Sequence, residues 1–154
     1  MYERILVALD GTDVAEQVLP HVEALARAFD STLILLRATT SPEKLVADLS
    51  GGLDVAPSIF DPTEILDDER AEIGEYLEAI AGRLRDAGLT VETDESPGSP
   101  AEEIVQRAGD LRADLIAMTT HGRHGLQRLI FGSVAESVLT HASVPILLVH
   151  VTDA

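Results

Sequence analysis

Along this chain, short apolar runs of strand length alternate with stretches whose apolar residues recur at three- and four-residue spacing, an order that few folds accommodate. Residues 4–10, RILVALD, form the first run and end in Asp10-Gly11-Thr12, the chemistry of a turn into a helix. From Asp13 onward Val14, Val18, Val22, Leu25 and Phe29 mark one helix face, with Thr12 or Asp13 as its cap. Residues 32–38, TLILLRA, read as the second strand. Residues 40–62 hold Pro42, Gly51, Gly52, Pro57 and Pro62, too many breakers for anything beyond one helical turn at Ser41-Pro42-Glu43. That stretch is expected to be a flexible excursion, either a lid over a ligand or a tolerated insertion.

A long amphipathic helix starts near Thr63, carries Ile73, Leu77, Ile80 and Leu84, and stops at Gly88. Leu89, Val91 and Thr93 alternate with Thr90 and Glu92, the pattern of a strand covered on one face only, at a sheet edge. Ser99 as cap, Pro100 and the acidic pair Glu102-Glu103 open another helix, with Ile104, Ala108 and Leu111 turned inward. Residues 114–118, DLIAM, are the fourth strand. Gly132-Ser133 starts a last helix bearing Val134, Val138 and Leu139, and residues 145–151, PILLVHV, form the fifth strand. Each right-handed crossover lays a helix on one sheet face or the other, so this order predicts an α/β fold: an open, doubly wound, five-stranded parallel sheet with helices on both faces. Residues 1–154 suffice for one core and are expected to form a single domain.

Composition removes several alternatives. The chain has no cysteine, hence no disulfide, no thiolate metal site and no thiol nucleophile. Glu3 and Arg4 follow Met1 almost at once, without a long apolar segment behind a basic one, so a cytoplasmic location is expected, with no membrane span. A net charge of -16, from 27 acidic against 11 basic residues, opposes binding to nucleic acid or to an anionic membrane. Lys44 is the only lysine beside ten arginines, which suits a solvated surface at high salt and equally the codon usage of a GC-rich genome.

Against that charge one window stands out: between Asp114 and Glu136 there is no carboxylate, although the chain is about one-sixth acidic. The same window holds His121, Arg123, His124 and Arg128 with Gly122, Gly125 and Gly132, a locally positive stretch with open backbone, for which an anion is the natural occupant. Gly132 permits close backbone approach, and Ser133 begins a helix whose free amides and positive end can hold phosphate oxygens. Taken alone, Gly132-Ser133 is also simply a helix cap. Position in the fold favours the ligand, because open α/β sheets bind ligands outside the carboxyl ends of their strands, where strand order reverses. Asp10 and Met118 would flank that crevice if the first and fourth strands are neighbours. His121 and His124 could present two imidazoles to a metal, yet no carboxylate lies nearby and no metal site is expected. Asp10 stands beside no nucleophile in sequence, so a ribose or amide hydrogen bond suits it better than general-base work, and no catalytic residue is assigned.

MTTHGRHGLQRLIFGSVAESVL followed by VPILLV resembles the C-terminal half of universal stress proteins, and ILVALDGT and LILLRATT resemble that family's first two strands. ATP-binding members carry Gly-x2-Gly-x9-Gly-(Ser/Thr). Gly122, nine residues, Gly132 and Ser133 match its last three elements, whereas Thr119 occupies the first, with a β-branched side chain that could narrow the pocket or impose another backbone conformation. The resemblance implies an adenine-nucleotide alpha-hydrolase-like fold with strand order 3-2-1-4-5 and a phosphate loop at residues 119–134. It implies that Asp10 and the backbone around Ala8 and Leu9 meet the adenosine portion, that Ala38 lies beside adenine and that Met118 borders the pocket. Gly122, Arg123, Gly132, Ser133 and Val134 would contact phosphates. The implied ligand is ATP or another adenine nucleotide such as AMP, with Mg2+ as an optional companion.

The implied role is nucleotide binding in stress response or signalling without efficient turnover. One alternative is a dimeric interaction scaffold that binds no nucleotide; another is a slow ATPase, for which no water-positioning group is identifiable. Leu9-Asp10-Gly11-Thr12 is neither the His-x-Gly-His of a nucleotidylyltransferase nor the Ser-Gly-Gly-x-Asp-Ser loop of an ATP pyrophosphatase. The almost continuously apolar fifth strand, at a sheet edge by the resemblance, invites pairing, so a homodimer built on residues 145–151 is expected.

Overall fold

Five parallel strands in the order β3-β2-β1-β4-β5 form the centre of the molecule. They are β1 (Arg4–Ala8), β2 (Thr32–Thr39), β3 (Thr90–Pro97), β4 (Leu115–His121) and β5 (Ile146–Val151). The computed structural model describes residues 1–51, 61–121 and 132–151. The helices are α1 (Asp13–Glu16), α2 (Leu19–Phe29), α3 (Pro42–Ser50), α4 (Pro62–Asp86), α5 (Pro100–Asp110) and α6 (Ser133–His141). Among the described residues, no helix is long and apolar enough to cross a membrane.

Successive strand residues point to opposite faces, so the central strands feed two separate cores. Ile5, Val7, Leu33, Leu35, Leu115 and Ala117 pack with α1, α2 and α4 through Ala15, Val22, Leu77 and Leu84. Leu6, Ile34, Leu36, Ile116 and Met118 pack with α5 and α6 through Ile104, Ala108 and Val138. The doubly wound arrangement follows from these two apolar faces.

Several elements depart from the sequence expectation, each for a local reason. The helix from Asp13 is interrupted after Glu16 and resumes at Leu19. Pro20 lacks an amide hydrogen, and its ring would crowd the Glu16 carbonyl in an unbroken helix. Phe29 is 43% exposed rather than in the core, its ring standing edge-on to Tyr2. Leu139 is exposed to the same degree, and Leu111 is only half-buried.

Within residues 40–62 there is more than one helical turn: α3 runs nine residues, with Ser41 Oγ accepting from the Lys44 amide at 3.2 Å and Gly51 closing it at φ 51°. Pro42 occupies the first turn, where its missing amide costs nothing. Residues 52–60 lie outside the described residues. β3 continues to Pro97, four residues beyond Thr93, because every residue from Thr90 has a partner on β2. Likewise β4 continues past Met118 to His121 along β5. Ser99 precedes α5 as expected, but its side chain makes no capping hydrogen bond.

Candidate functional site

The crevice that the topology calls for opens where β1 parts from β4. Their pairing ends at Val7 and Ala117. Beyond that point β1 stays with β2, Ala8 lying opposite Leu36 and the Leu9 amide donating to the Leu36 carbonyl at 2.9 Å. β4 goes the other way, pairing with β5 through His121 and Val151. The split therefore lies at the carboxyl ends of two adjacent strands, where strand order reverses.

A cavity of about 500 Å³ fills the split. Its walls are the ends of β1 (Ala8) and β2 (Leu36, Arg37, Ala38), Leu9 and Asp10 after β1, Ala15 of α1, Pro100 and Ile104 of α5, Met118 and Thr119 of β4, Gly132, and the first turn of α6 (Ser133, Val134, Ala135). Most of this lining is apolar, with Asp10 and Arg37 as the charged groups among the described residues. A cavity of this size and character fits a small organic ligand, for which roughly 300–1,000 Å³ is usual.

Each candidate residue has a local reason for its place. Asp10 follows β1 and is held by its own loop, since Oδ1 accepts from the Thr12 amide at 2.9 Å and from the Thr12 hydroxyl at 2.6 Å. The Thr12 hydroxyl accepts in turn from the Ala15 amide at 3.2 Å, capping α1. Oδ1 is thus engaged within the loop, and Oδ2 makes no hydrogen bond among the described residues. Gly132 sits at φ 82°, ψ 157°, a conformation essentially closed to other residues. It precedes α6 without a side chain of its own to cap the first amides, so among the described residues the positive end of that helix faces the cavity uncapped. Ser133 is exposed at its first position.

Thr119 lines the cavity at 8% exposure and lies within β4, opposite Val149. It is not among the residues with positive φ. Its β-branched side chain is at home in that extended backbone, and the cavity remains open beside it.

The structure thus brings Ala8, Leu9, Asp10, Ala38, Met118, Thr119, Gly132, Ser133 and Val134 to one cavity. Gly122, Arg123 and His124 lie outside the described residues. Sequence reasoning missed Ala15, Leu36, Arg37, Pro100, Ile104 and Ala135 in the walls. The available signal for Arg37 was a cation next to Ala38 at the carboxyl end of an apolar strand.

Comparison with known proteins agrees with this architecture. The sequence profile of the universal stress protein family matches residues 1–150. Universal stress protein MJ0531 of Methanocaldococcus jannaschii is 33% identical over 151 residues, covering 97% of this chain and 82% of that protein. The structure of the hypothetical protein MJ0577, from the same organism, superposes with a TM-score of 0.79 at 30% identity, covering 100% of this chain and 99% of the other. A universal stress protein from Archaeoglobus fulgidus, solved in complex with dAMP, shares the fold at a TM-score of 0.67 and 21% identity, covering 96% of this chain and 97% of that one. With its profile matched over nearly its whole length and its sheet order shared, this chain belongs to the universal stress protein family.

Proposed function

We propose that the chain is an adenine-nucleotide-binding module, for ATP or AMP, that acts in stress response or signalling in the cytoplasm without efficient turnover. One observation carries this reading: the cavity at the switch point holds about 500 Å³ with Thr119 already in its wall. Had the β-branched side chain closed the pocket, the scaffold reading would be favoured. Phosphates belong at the open amides of Ser133 and Val134, with Gly122 and Arg123 from the phosphate loop. The nucleoside lies toward Asp10 and Ala38, with Met118 at its border. The A. fulgidus relative that holds dAMP supports an adenine ligand for this fold.

The test is mass spectrometry of the protein as purified, followed by ATP titration at low and high salt, with and without Mg2+. Copurifying or titratable adenine nucleotide is expected. Absence of both at millimolar ATP would refute the reading.

Dimerisation rests on a separate observation. Ile146, Leu147, Leu148 and Val149 are only half-buried on β5, an edge strand of the sheet. An apolar edge of this kind pairs with a second copy, giving a homodimer around residues 145–151. A monomer by light scattering at micromolar concentration would contradict it.

A further inference from the structure

Arg37 is a cation that the proposed function does not yet use. Arg4, Arg27, Arg85 and Arg107 each pair with a carboxylate. The side chain of Arg37, half-buried near the end of β2, makes no hydrogen bond and no ion pair with any described residue. It is nevertheless fixed in place. Its guanidinium lies over the Tyr76 ring at 5.2 Å, and it fills the space a side chain at Gly11 would need, 2.8–2.9 Å from that Cβ position. Gly11, at φ 85°, leaves that space to the guanidinium. Burial, and then the carboxylate of Glu16, push the Tyr76 phenol above its ordinary value, so the ring beneath the cation stays neutral. A planar group held by stacking and packing keeps its donors unspent, and Arg37 is one of the residues that line the cavity.

The position of Arg37 in the sheet selects what those donors meet. The open amides of α6 follow β4, whereas Arg37 is on β2, with β1 between them. Two strand spacings, roughly 10 Å, separate β4 from β2. Side chains alternate along β2, Leu36 packing toward α5 and α6 and the Arg37 guanidinium lying over Tyr76 of α4 on the other face. A single phosphate at α6 does not reach the guanidinium, so a ligand using both needs a second acceptor group at its nucleoside end. Asp10 shares that end, its Oδ1 engaged by Thr12 and its Oδ2 available for a ribose hydroxyl. In dinucleotide sites a carboxylate takes the ribose hydroxyls of one cofactor class, and an arginine takes the ribose phosphate of the other. Both residue types are present here at once.

We propose that Arg37 makes this site selective for adenosine nucleotides that carry a second phosphate on the ribose, at the 2′ or 3′ position, in addition to the 5′ phosphate held at α6. Asp10 takes the ribose hydroxyl that remains free, and the guanidinium takes the ribose phosphate through paired charge-assisted hydrogen bonds. The proposal rests on the nucleotide reading above.

The experiment is calorimetric titration of the full chain with AMP, adenosine 2′,5′-bisphosphate and adenosine 3′,5′-bisphosphate, repeated on Arg37→Met and Arg37→Lys. The wild type is expected to bind one of the bisphosphates at least tenfold more tightly than AMP. Arg37→Met brings that ratio to about one, and Arg37→Lys, which keeps the charge and loses the fork, leaves a ratio between the two. Should Arg37→Met not fold, a severalfold fall of the ratio in Arg37→Lys is the expected result, and an unchanged ratio overturns the proposal. AMP binding with no bisphosphate preference, or a preference that survives Arg37→Met, overturns it while leaving the nucleotide reading standing. Failure of AMP, ATP and both bisphosphates to bind overturns the two together.

Discussion

Gly132→Ala separates what the backbone at the head of α6 does from what an added side chain does. Gly132 lies at φ 82°, ψ 157°, and a Cβ built there would meet nothing within 4 Å among the described residues. The cost of alanine is therefore conformational rather than steric, about 1–3 kcal/mol for a non-glycine residue held in this region. Repacking of neighbours does not relieve it, since no neighbour among the described residues is in contact. In a chain of this size that cost corresponds to a fall in Tm of about 2–12 °C. The alternative relief is rotation of the Gly132 peptide into an allowed region, which re-aims the Ser133 and Val134 amides away from the cavity. Nucleotide affinity then falls by roughly tenfold or more, the worth of charge-assisted hydrogen bonds lost at an anion. Gly51→Ala is the control: it too has positive φ and an empty Cβ position, yet it closes α3 and does not line the cavity. That variant melts earlier by a few degrees, about 1 kcal/mol, and binds nucleotide as the wild type does. Thermal melting by circular dichroism and nucleotide titration on both variants decide the matter. Gly132→Ala with wild-type Tm and wild-type affinity would refute the reasoning.

Other parts of the molecule give independent tests. Leu77, at 1% exposure in the middle of α4, packs against the sheet, so Leu77→Ala is expected to cost about 2–5 kcal/mol in urea denaturation without altering sheet order. Asp114 joins the start of β4 to β1, its carboxylate accepting from the Glu3 and Arg4 amides at 2.9 and 3.1 Å. Desolvation raises that carboxyl, but these amides outweigh it and hold it below its ordinary 3.8. A depressed carboxyl contributes stability above its unfolded value and loses it as pH falls through the folded one. Asp114→Asn should therefore melt earlier than wild type at pH 6–7, with the gap closing below about pH 4. A gap unchanged down to pH 2 would contradict the assignment. The charge of -16 predicts a Tm that rises between low and molar salt as self-repulsion is screened, and a flat or falling Tm would show that local pairs dominate.

The elements most legible in the sequence were those whose backbone and side-chain signals agree. β1, β2 and the second half of α4 have a clean period and a clear stop, and their buried faces are the ones the period marks. Elsewhere one signal masked another. The apolar stripe through Val14, Val18 and Val22 concealed the break that Pro20 imposes one turn earlier. In residues 40–62, counting breakers concealed α3, because Pro42 and Gly51 sit at its two ends, where each is tolerated. Asp94 and Glu95 look unlike strand residues, but pairing with β2 satisfies their backbone, and Arg107 holds Asp94 with hydrogen bonds of 2.7 and 3.0 Å. Arg37 was illegible for a different reason. Its meaning comes from Gly11 and Tyr76, residues far away in sequence that only the folded chain sets against it.

Thr119 shows how a departure from a family pattern is weighed physically. A glycine is required where the backbone is left-handed or where a Cβ would collide. Thr119 has neither need, for it continues the extended run of β4 opposite Val149, where a β-branched residue is favoured. Gly132 has the first need in full, at φ 82°. The two pattern positions are therefore unequal in this fold: exchange at 119 changes the lining of a cavity that stays open, whereas exchange at 132 changes the path of the chain into α6. Thr119→Gly should accordingly destabilise β4 by loss of a buried side chain and of backbone restraint, about 1 kcal/mol, while enlarging the cavity. If Thr119→Gly raised nucleotide affinity more than tenfold, the side chain would be an obstruction after all, and the scaffold reading would regain its ground for the natural sequence.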